Sequence, residues 1–106
     1  MDASQFEGLA EETLARLQAA VEDAARDSVD AEVVGGILTL ELESGGVYQI
    51  NRHLPNRQIW LSSPVSGAWH FAWSGGAWLD TRSGERLEAL LGRELSQILG
   101  EAIELG

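Results

Sequence analysis

Gly35-Gly-Ile-Leu-Thr-Leu-Glu-Leu-Glu43 alternates strictly once past its two glycines, with Leu38, Leu40 and Leu42 on one side and Thr39, Glu41 and Glu43 on the other. A period of two with one apolar and one charged face marks a strand in an antiparallel sheet that buries one side and wets the other. Gly35-Gly36 is a two-residue hairpin signal, so residues 30–34 read as the partner strand. Downstream, Ser44-Gly45-Gly46 turns the chain into a third strand, 47–51, with Tyr48 and Ile50 facing the core. Residues 57–62, 69–73 and 77–80 follow as strands four to six, separated by a loop around 64–67 and by the Ser74-Gly75-Gly76 turn.

Helical periodicity brackets this block. Phe6, Leu9, Ala10, Thr13, Leu14, Leu17, Val21 and Ala24 recur at three- and four-residue steps, predicting an amphipathic helix over 4–26. Ser4 with Glu7 has the spacing of a capping box. Leu87, Leu90, Leu91, Leu95, Ile98 and Leu99 predict a second helix over 84–99, capped by Ser83 and closed by Gly100. Ile103 and Leu105 are placed to cover the groove between the helices, with a frayed tail as the alternative. The expected fold is α+β, a single domain over 1–106. Two helices pack on one face of an antiparallel sheet of about six strands, and the other face stays open to solvent.

Charge is unevenly spread. Residues 1–50 carry eleven carboxylates against Arg16 and Arg26, while residues 51–106 carry six against five arginines. A net charge of −10 excludes nucleic acid and anionic membranes as partners, because both need a basic footprint. It favours cations or a basic protein. No apolar run is long enough to cross a bilayer. The N-terminal Met-Asp-Ala-Ser-Gln lacks signal- and transit-peptide character, so the expectation is a cytoplasmic protein or a mature organellar form. With no cysteine, thiolate metal sites and cysteine nucleophiles are excluded.

Glu22, Asp23, Asp27, Asp30 and Glu32 cluster at the first helix end, the connection and the first strand, with Glu11 and Glu12 further up the helix. Oxygen donors at this density suit hard cations held shallowly and weakly. The plain alternative is a solvated helix face. His53 and His70 belong to no metal-ligand spacing or catalytic triad, and no catalytic residue is assigned. The paired glycines are turn residues rather than phosphate loops. Period two points Gln58 and Trp60 away from the core side of their strand, with Asn51 and His70 on the same open face. A tryptophan among amide side chains has the composition of a protein-binding surface.

Gly-Gly-Ile-Leu-Thr-Leu (35–40), Tyr-Gln-Ile-Asn-Arg (48–52), Pro55, Gln-Ile-Trp-Leu-Ser-Ser-Pro (58–64) and Gly67, with Trp78, Arg82, Gly84, Leu87 and Leu90-Leu91, resemble the frataxin family, including its bacterial CyaY form. The likeness covers nearly the whole chain. It implies an α-β sandwich that binds iron (Fe2+ or Fe3+) weakly on an acidic ridge and serves iron–sulfur cluster assembly. The implied partners are a cysteine desulfurase and the cluster scaffold protein, with the chain a monomer without metal. By this resemblance Glu22, Asp23, Asp27, Asp30 and Glu32 take the ridge role, and Asn51, Gln58, Trp60 and His70 the sheet-face role. Gln18, Ala19, Ala20 and Ala25 stand where the family is often more acidic, implying fewer bound irons. Trp69 and His70 stand where mitochondrial forms tend to be basic. The compartment implied is the bacterial cytoplasm or the mitochondrial matrix. Two alternatives stay open: a pure interaction regulator with incidental iron binding, and ferroxidase-like iron oxidation or storage, for which no Glu-x-x-His motif is present.

Overall fold

The computed structural model describes all residues, Met1–Gly106. The order is α1 (Ala3–Ala25), β1 (Val29–Val34), β2 (Ile37–Leu42), β3 (Val47–His53), β4 (Gln58–Ser63), β5 (Gly67–Ser74), β6 (Ala77–Asp80) and α2 (Leu87–Leu99). The strands form one sheet in sequence order, every neighbour antiparallel. Such a meander needs only short turns. Gly35 and Gly36 supply the first with positive φ, and a Cβ on Gly36 would lie 2.8 Å from Arg52 Nε. Both helices pack on the same face of the sheet, α1 over β1–β3 and α2 against β6.

Between the layers lies one core that includes Phe6, Leu14, Leu17, Leu38, Tyr48, Ile50, Ile59, Phe71, Trp78 and Leu91. The Leu38–Leu40–Leu42 face is buried as the alternation requires. Trp78 is wholly buried, its edge against Phe6 and its Nε1 donating to Thr13 Oγ1 at 2.9 Å. Ile103 and Leu105 are buried against α2, and the Ile103 amide donates to Ser96 Oγ at 2.8 Å. The tail is therefore docked rather than frayed.

Three local expectations are corrected. The first capping box is Asp2 with Gln5, not Ser4 with Glu7, because the helix begins one residue earlier at Ala3. Both pairs satisfy the same spacing rule, so the pattern alone does not choose between them. Ser83 does not cap α2. Its amide and hydroxyl bind Asp80 Oδ2 in a turn, and α2 starts at Leu87 with Arg86 at its N-cap. The third strand runs on past Asn51 to His53.

That turn makes Asp80 a pH-sensitive element. Burial opposes ionisation of its carboxyl. The Ser83 amide and hydroxyl, the Arg82 amide and the Arg82 charge outweigh it and hold the pKa below its ordinary 3.8. A depressed folded-state value stabilises the fold above the unfolded pKa, and the benefit is lost as pH falls through the folded one. Asp80→Asn should lower the urea midpoint at pH 7, and the difference from wild type should shrink as pH falls below the ordinary 3.8. A gap that stays constant over that range contradicts this role.

Candidate functional site

Two surfaces meet on the sheet. The first is the β1 edge. Asp30 and Glu32 alternate onto the open face of β1, while buried Val29 and Ala31 point at the helices. The two-residue hairpin fixes the register, which sets Asp30 opposite Glu41 and Glu32 opposite Thr39. Like charges directly opposite one another repel at roughly 5 Å between Cβ atoms. Asp27, Asp30, Glu41 and Glu43, together with Arg26, line a shallow cavity of about 260 Å³ where α1 hands over to β1. Glu41 and Glu43 are absent from the sequence-based ridge. A signal for them exists, because a Gly35-Gly36 hairpin already brings residue 41 beside residue 30.

The other predicted ridge residues divide. Glu22 and Asp23 lie in the last turns of α1. Glu11 stands about 16 Å up the helix from Glu22 at 1.5 Å per residue, and its carboxylate lies 4.0 Å from Arg52 Nη1. Glu12 is exposed beside it in sequence. The structure thus does not bring Glu11 and Glu12 together with Asp27 and Asp30. No group of three or more His, Asp and Glu side chains is arranged to hold a metal ion. The donor chemistry at the edge is all carboxylate, open to water, and suited to a hydrated hard cation rather than a caged one.

The second surface is the centre of the open face. Register aligns Ile37, Asn51, Trp60 and His70 across β2–β5 in one row. Gln58 lies two residues before Trp60 on β4, and its Oε1 accepts a 2.8 Å hydrogen bond from Trp60 Nε1. Trp60 faces outward, as period two requires. It is half-buried because two imidazoles cover its ring. His53 stacks on it at 3.6 Å between centroids and 9° between planes, and His70 at 4.3 Å and 14°. Sequence patterning ends β3 at Asn51 and so leaves His53 out of this site. The alternation Gln49, Asn51, His53 carries it onto the open face.

Behind this face a buried carboxylate fixes the loop between β4 and β5. Glu94 on α2 accepts from Tyr48 Oη at 2.7 Å and Ser63 Oγ at 2.6 Å, and from the Ser66 hydroxyl. Ser66 Oγ in turn accepts from Trp69 Nε1. Burial, with the Glu94 carboxylate acting in the same sense, pushes the Tyr48 phenol well above its ordinary value, so it remains a donor. Polarity alone makes Glu94 a surface acid, although it falls on the buried stripe of α2 between Leu91 and Leu95.

The chain matches the family model of the frataxin-like domain over residues 1–101. It is 41% identical to the iron-sulfur cluster assembly protein CyaY of Dechloromonas aromatica, with 99% of both chains covered. It is 40% identical to mitochondrial frataxin of Arabidopsis thaliana, over 95% of this chain but 57% of that longer protein. Its backbone matches frataxin from Psychromonas ingrahamii with a TM-score of 0.90 at 28% identity, covering 100% of this chain and 99% of that one. Trimeric frataxin from Saccharomyces cerevisiae, complexed with ferrous iron, matches with a TM-score of 0.68 at 32% identity, over 95% and 88% of the two chains. With the helix–meander–helix order, the Asn51-to-Trp60 sheet segment and these likenesses in agreement, the chain belongs to the frataxin family.

Proposed function

We propose that this protein is an iron-binding accessory protein of iron–sulfur cluster assembly. It holds iron weakly at the acidic edge and docks a cysteine desulfurase and its scaffold through the open sheet face. The cluster-assembly name of the CyaY relative and the ferrous complex of the yeast neighbour support the pathway and the metal. The observation that carries the reading is that one rigid sheet presents two chemically distinct surfaces. Asp27, Asp30, Glu41 and Glu43 gather at the β1 end, while Asn51, Gln58, Trp60 and His70 occupy the centre. The Asp30–Glu41 repulsion is relieved by a cation, and ligation by exposed carboxylates lets the ion leave again.

Two results test it. Millimolar ferrous iron under anaerobic conditions, or calcium, should raise the melting temperature by several degrees. Ligand at ten times its Kd stabilises by about 1.4 kcal/mol, and each kcal/mol is worth about 4–8 °C in a domain of this size. The double variant Asp30→Asn, Glu41→Gln should be as stable as wild type or slightly more so without metal, and should lose most of that rise. An unchanged response in the variant contradicts the edge site. Trp60→Ala should weaken binding to the desulfurase–scaffold pair by about thirtyfold, the scale of a central aromatic anchor. The domain should stay folded, because the indole lies outside the core. Titration calorimetry reads the affinity, and wild-type affinity in Trp60→Ala contradicts docking through this face.

The lack of any ready three-ligand cage favours a second reading, an interaction module for which iron is incidental. Reversing the charge of Asp23 and Asp27 separates the two. Loss of partner binding in metal-free buffer supports the module. Partner binding that survives in metal-free buffer, with the iron-induced rise in melting temperature lost, supports the iron-binding account.

A further inference from the structure

The imidazole–indole–imidazole sandwich on the open face is built more tightly than a chance surface cluster. Trp60 is clamped on both faces by His53 and His70, whose planes lie 9° and 14° from its own. The indole N–H is tied to Gln58, so the ring cannot rotate out without breaking a hydrogen bond and two stacks. The two histidines differ in access. His70 is exposed, whereas His53 is half-buried and its Nδ1 is shut off from solvent with no hydrogen-bond partner.

Histidine is the side chain class that carries pH switches in proteins, because taking up one proton turns a neutral ring into a cation. A proton taken up on a ring stacked against indole places a full positive charge on the π face of Trp60, an arrangement that tryptophan favours over other aromatics. The stack therefore survives protonation while its charge changes.

The charged surroundings decide what that change does. On β1 and β2 the same face carries Asp30, Glu32 and Glu41. On β3 the neighbours are Gln49 and Asn51, on β4 Gln58 and Ser62, and on β5 Ala68 and Ala72, none of them charged. β6 adds only Ala77 and Leu79. Two guanidinium groups flank the row, Arg57 on the Leu54 carbonyl and Arg82 on the Ala68 carbonyl at 3.0 Å. With neutral imidazoles the face is acidic on one side and mildly basic on the other. A charged His70 adds one positive charge to the side of the face that already holds Arg57 and Arg82.

We propose that His70, backed by Trp60 and His53, is a proton-operated gate on the docking face, which admits a basic partner segment when His70 is neutral and repels it when His70 is charged. This rests on the reading that the sheet face is the docking surface. The basic character of the segment follows from the acidic strands beside the gate and the net charge of −10. His53 is a positioning residue: it holds the indole against His70 and does not itself meet the partner.

The test uses the full chain as wild type, His70→Gln, His53→Gln and Trp60→Ala. Affinity for the desulfurase–scaffold pair is measured at pH 8, 7 and 6. Because the partners titrate too, the informative quantity is the ratio of wild-type to His70→Gln affinity at each pH. In the same samples the Trp60 indole ¹H–¹⁵N signal is followed across the range. The expected result is a wild-type affinity that falls about tenfold more than that of His70→Gln from pH 8 to pH 6, roughly the scale of one like charge about 4 Å away and screened almost as in bulk water. The indole signal should titrate in wild type and stay flat in His70→Gln. His53→Gln should broaden that signal while keeping part of the pH response. Parallel pH profiles for wild type and His70→Gln, with Trp60→Ala still losing affinity, overturn the gate and leave the docking face standing. Wild-type affinity in Trp60→Ala removes the docking face, and the gate falls with it.

Discussion

Trp78→Ala should cost about 3–5 kcal/mol, the range for deleting a large buried aromatic side chain. Against a typical stability of about 5–15 kcal/mol for a whole domain, that is enough to leave an appreciable unfolded fraction at 37 °C. The loss has three parts. A wholly buried indole leaves a cavity beneath both helices, because its neighbours Phe6 and Trp73 belong to different elements and cannot collapse together. The edge-to-face contact with Phe6, 6.1 Å between centroids, is lost. Thr13 Oγ1 loses the indole donor but keeps its own bond to the Leu9 carbonyl, so that part of the cost is small. Trp78→Phe should recover more than half of the loss, since it refills most of the volume and leaves no buried N–H. Urea denaturation of the two variants checks this. Equal midpoints for Trp78→Ala and Trp78→Phe contradict the cavity as the main source of the loss.

Glu94→Ala should cost about 3 kcal/mol for a different reason. The carboxylate is the shared acceptor for Tyr48, Ser63 and Ser66. Its removal strands the phenol and the Ser63 hydroxyl, and each buried donor without a partner costs about 1–3 kcal/mol. Ser63 Oγ still accepts from the amides of Val65 and Ser66, but these bonds use its lone pairs and leave its O–H without an acceptor. The phenol has no second acceptor. Adding Tyr48→Phe to Glu94→Ala should therefore restore about 1 kcal/mol, although Tyr48→Phe alone destabilises. The sign reversal is the signature of a satisfied buried network, and additive losses in the double variant contradict it. Because Ser66 sits in the loop that leads into β5, Glu94→Ala should also raise the mobility of that loop, visible as faster amide exchange at Val65 and Ser66.

What is legible in the sequence follows from periodicity. Leu38, Leu40 and Leu42 mark the buried face of β2 by alternation alone, and the same rule turns Trp60 outward. The order of elements and the two-layer packing follow, because six short strands joined by short turns leave little choice but a meander. What stays hidden depends on proximity across strands and layers. Glu41 joins Asp30 through hairpin register rather than sequence distance. His53 reaches Trp60 because β3 runs two residues further than its polar ending suggests. Asp80, Glu88 and Glu94 are carboxylates that patterning assigns to water and the fold buries. Asp80 and Glu94 are kept there by serine, phenol and backbone donors, and Glu88 by Arg16 Nη1 at 3.1 Å. A one-dimensional pattern cannot register a partner that arrives from another element.

On the proposed function, a division of labour between edge and face lets a strongly acidic chain both carry a cation and hold a protein partner. In the proposed reading, the edge carboxylates would set the affinity for metal without moving the sheet, since their strands are locked on the other side by Val29, Ala31 and Leu42. The face presents a preformed row whose central indole is already immobilised by Gln58, His53 and His70, so little side-chain freedom is lost on docking.

The central claim is that iron and partner use separate surfaces of one sheet. A ¹H–¹⁵N NMR titration tests it most directly, first with anaerobic ferrous iron and then with the desulfurase–scaffold pair. The account predicts iron-dependent broadening at Asp27, Asp30, Glu41 and Glu43, and partner-dependent changes at Asn51, Gln58, the Trp60 indole and His70. Iron broadening centred on His53 and His70, or partner changes confined to the acidic edge, would contradict it.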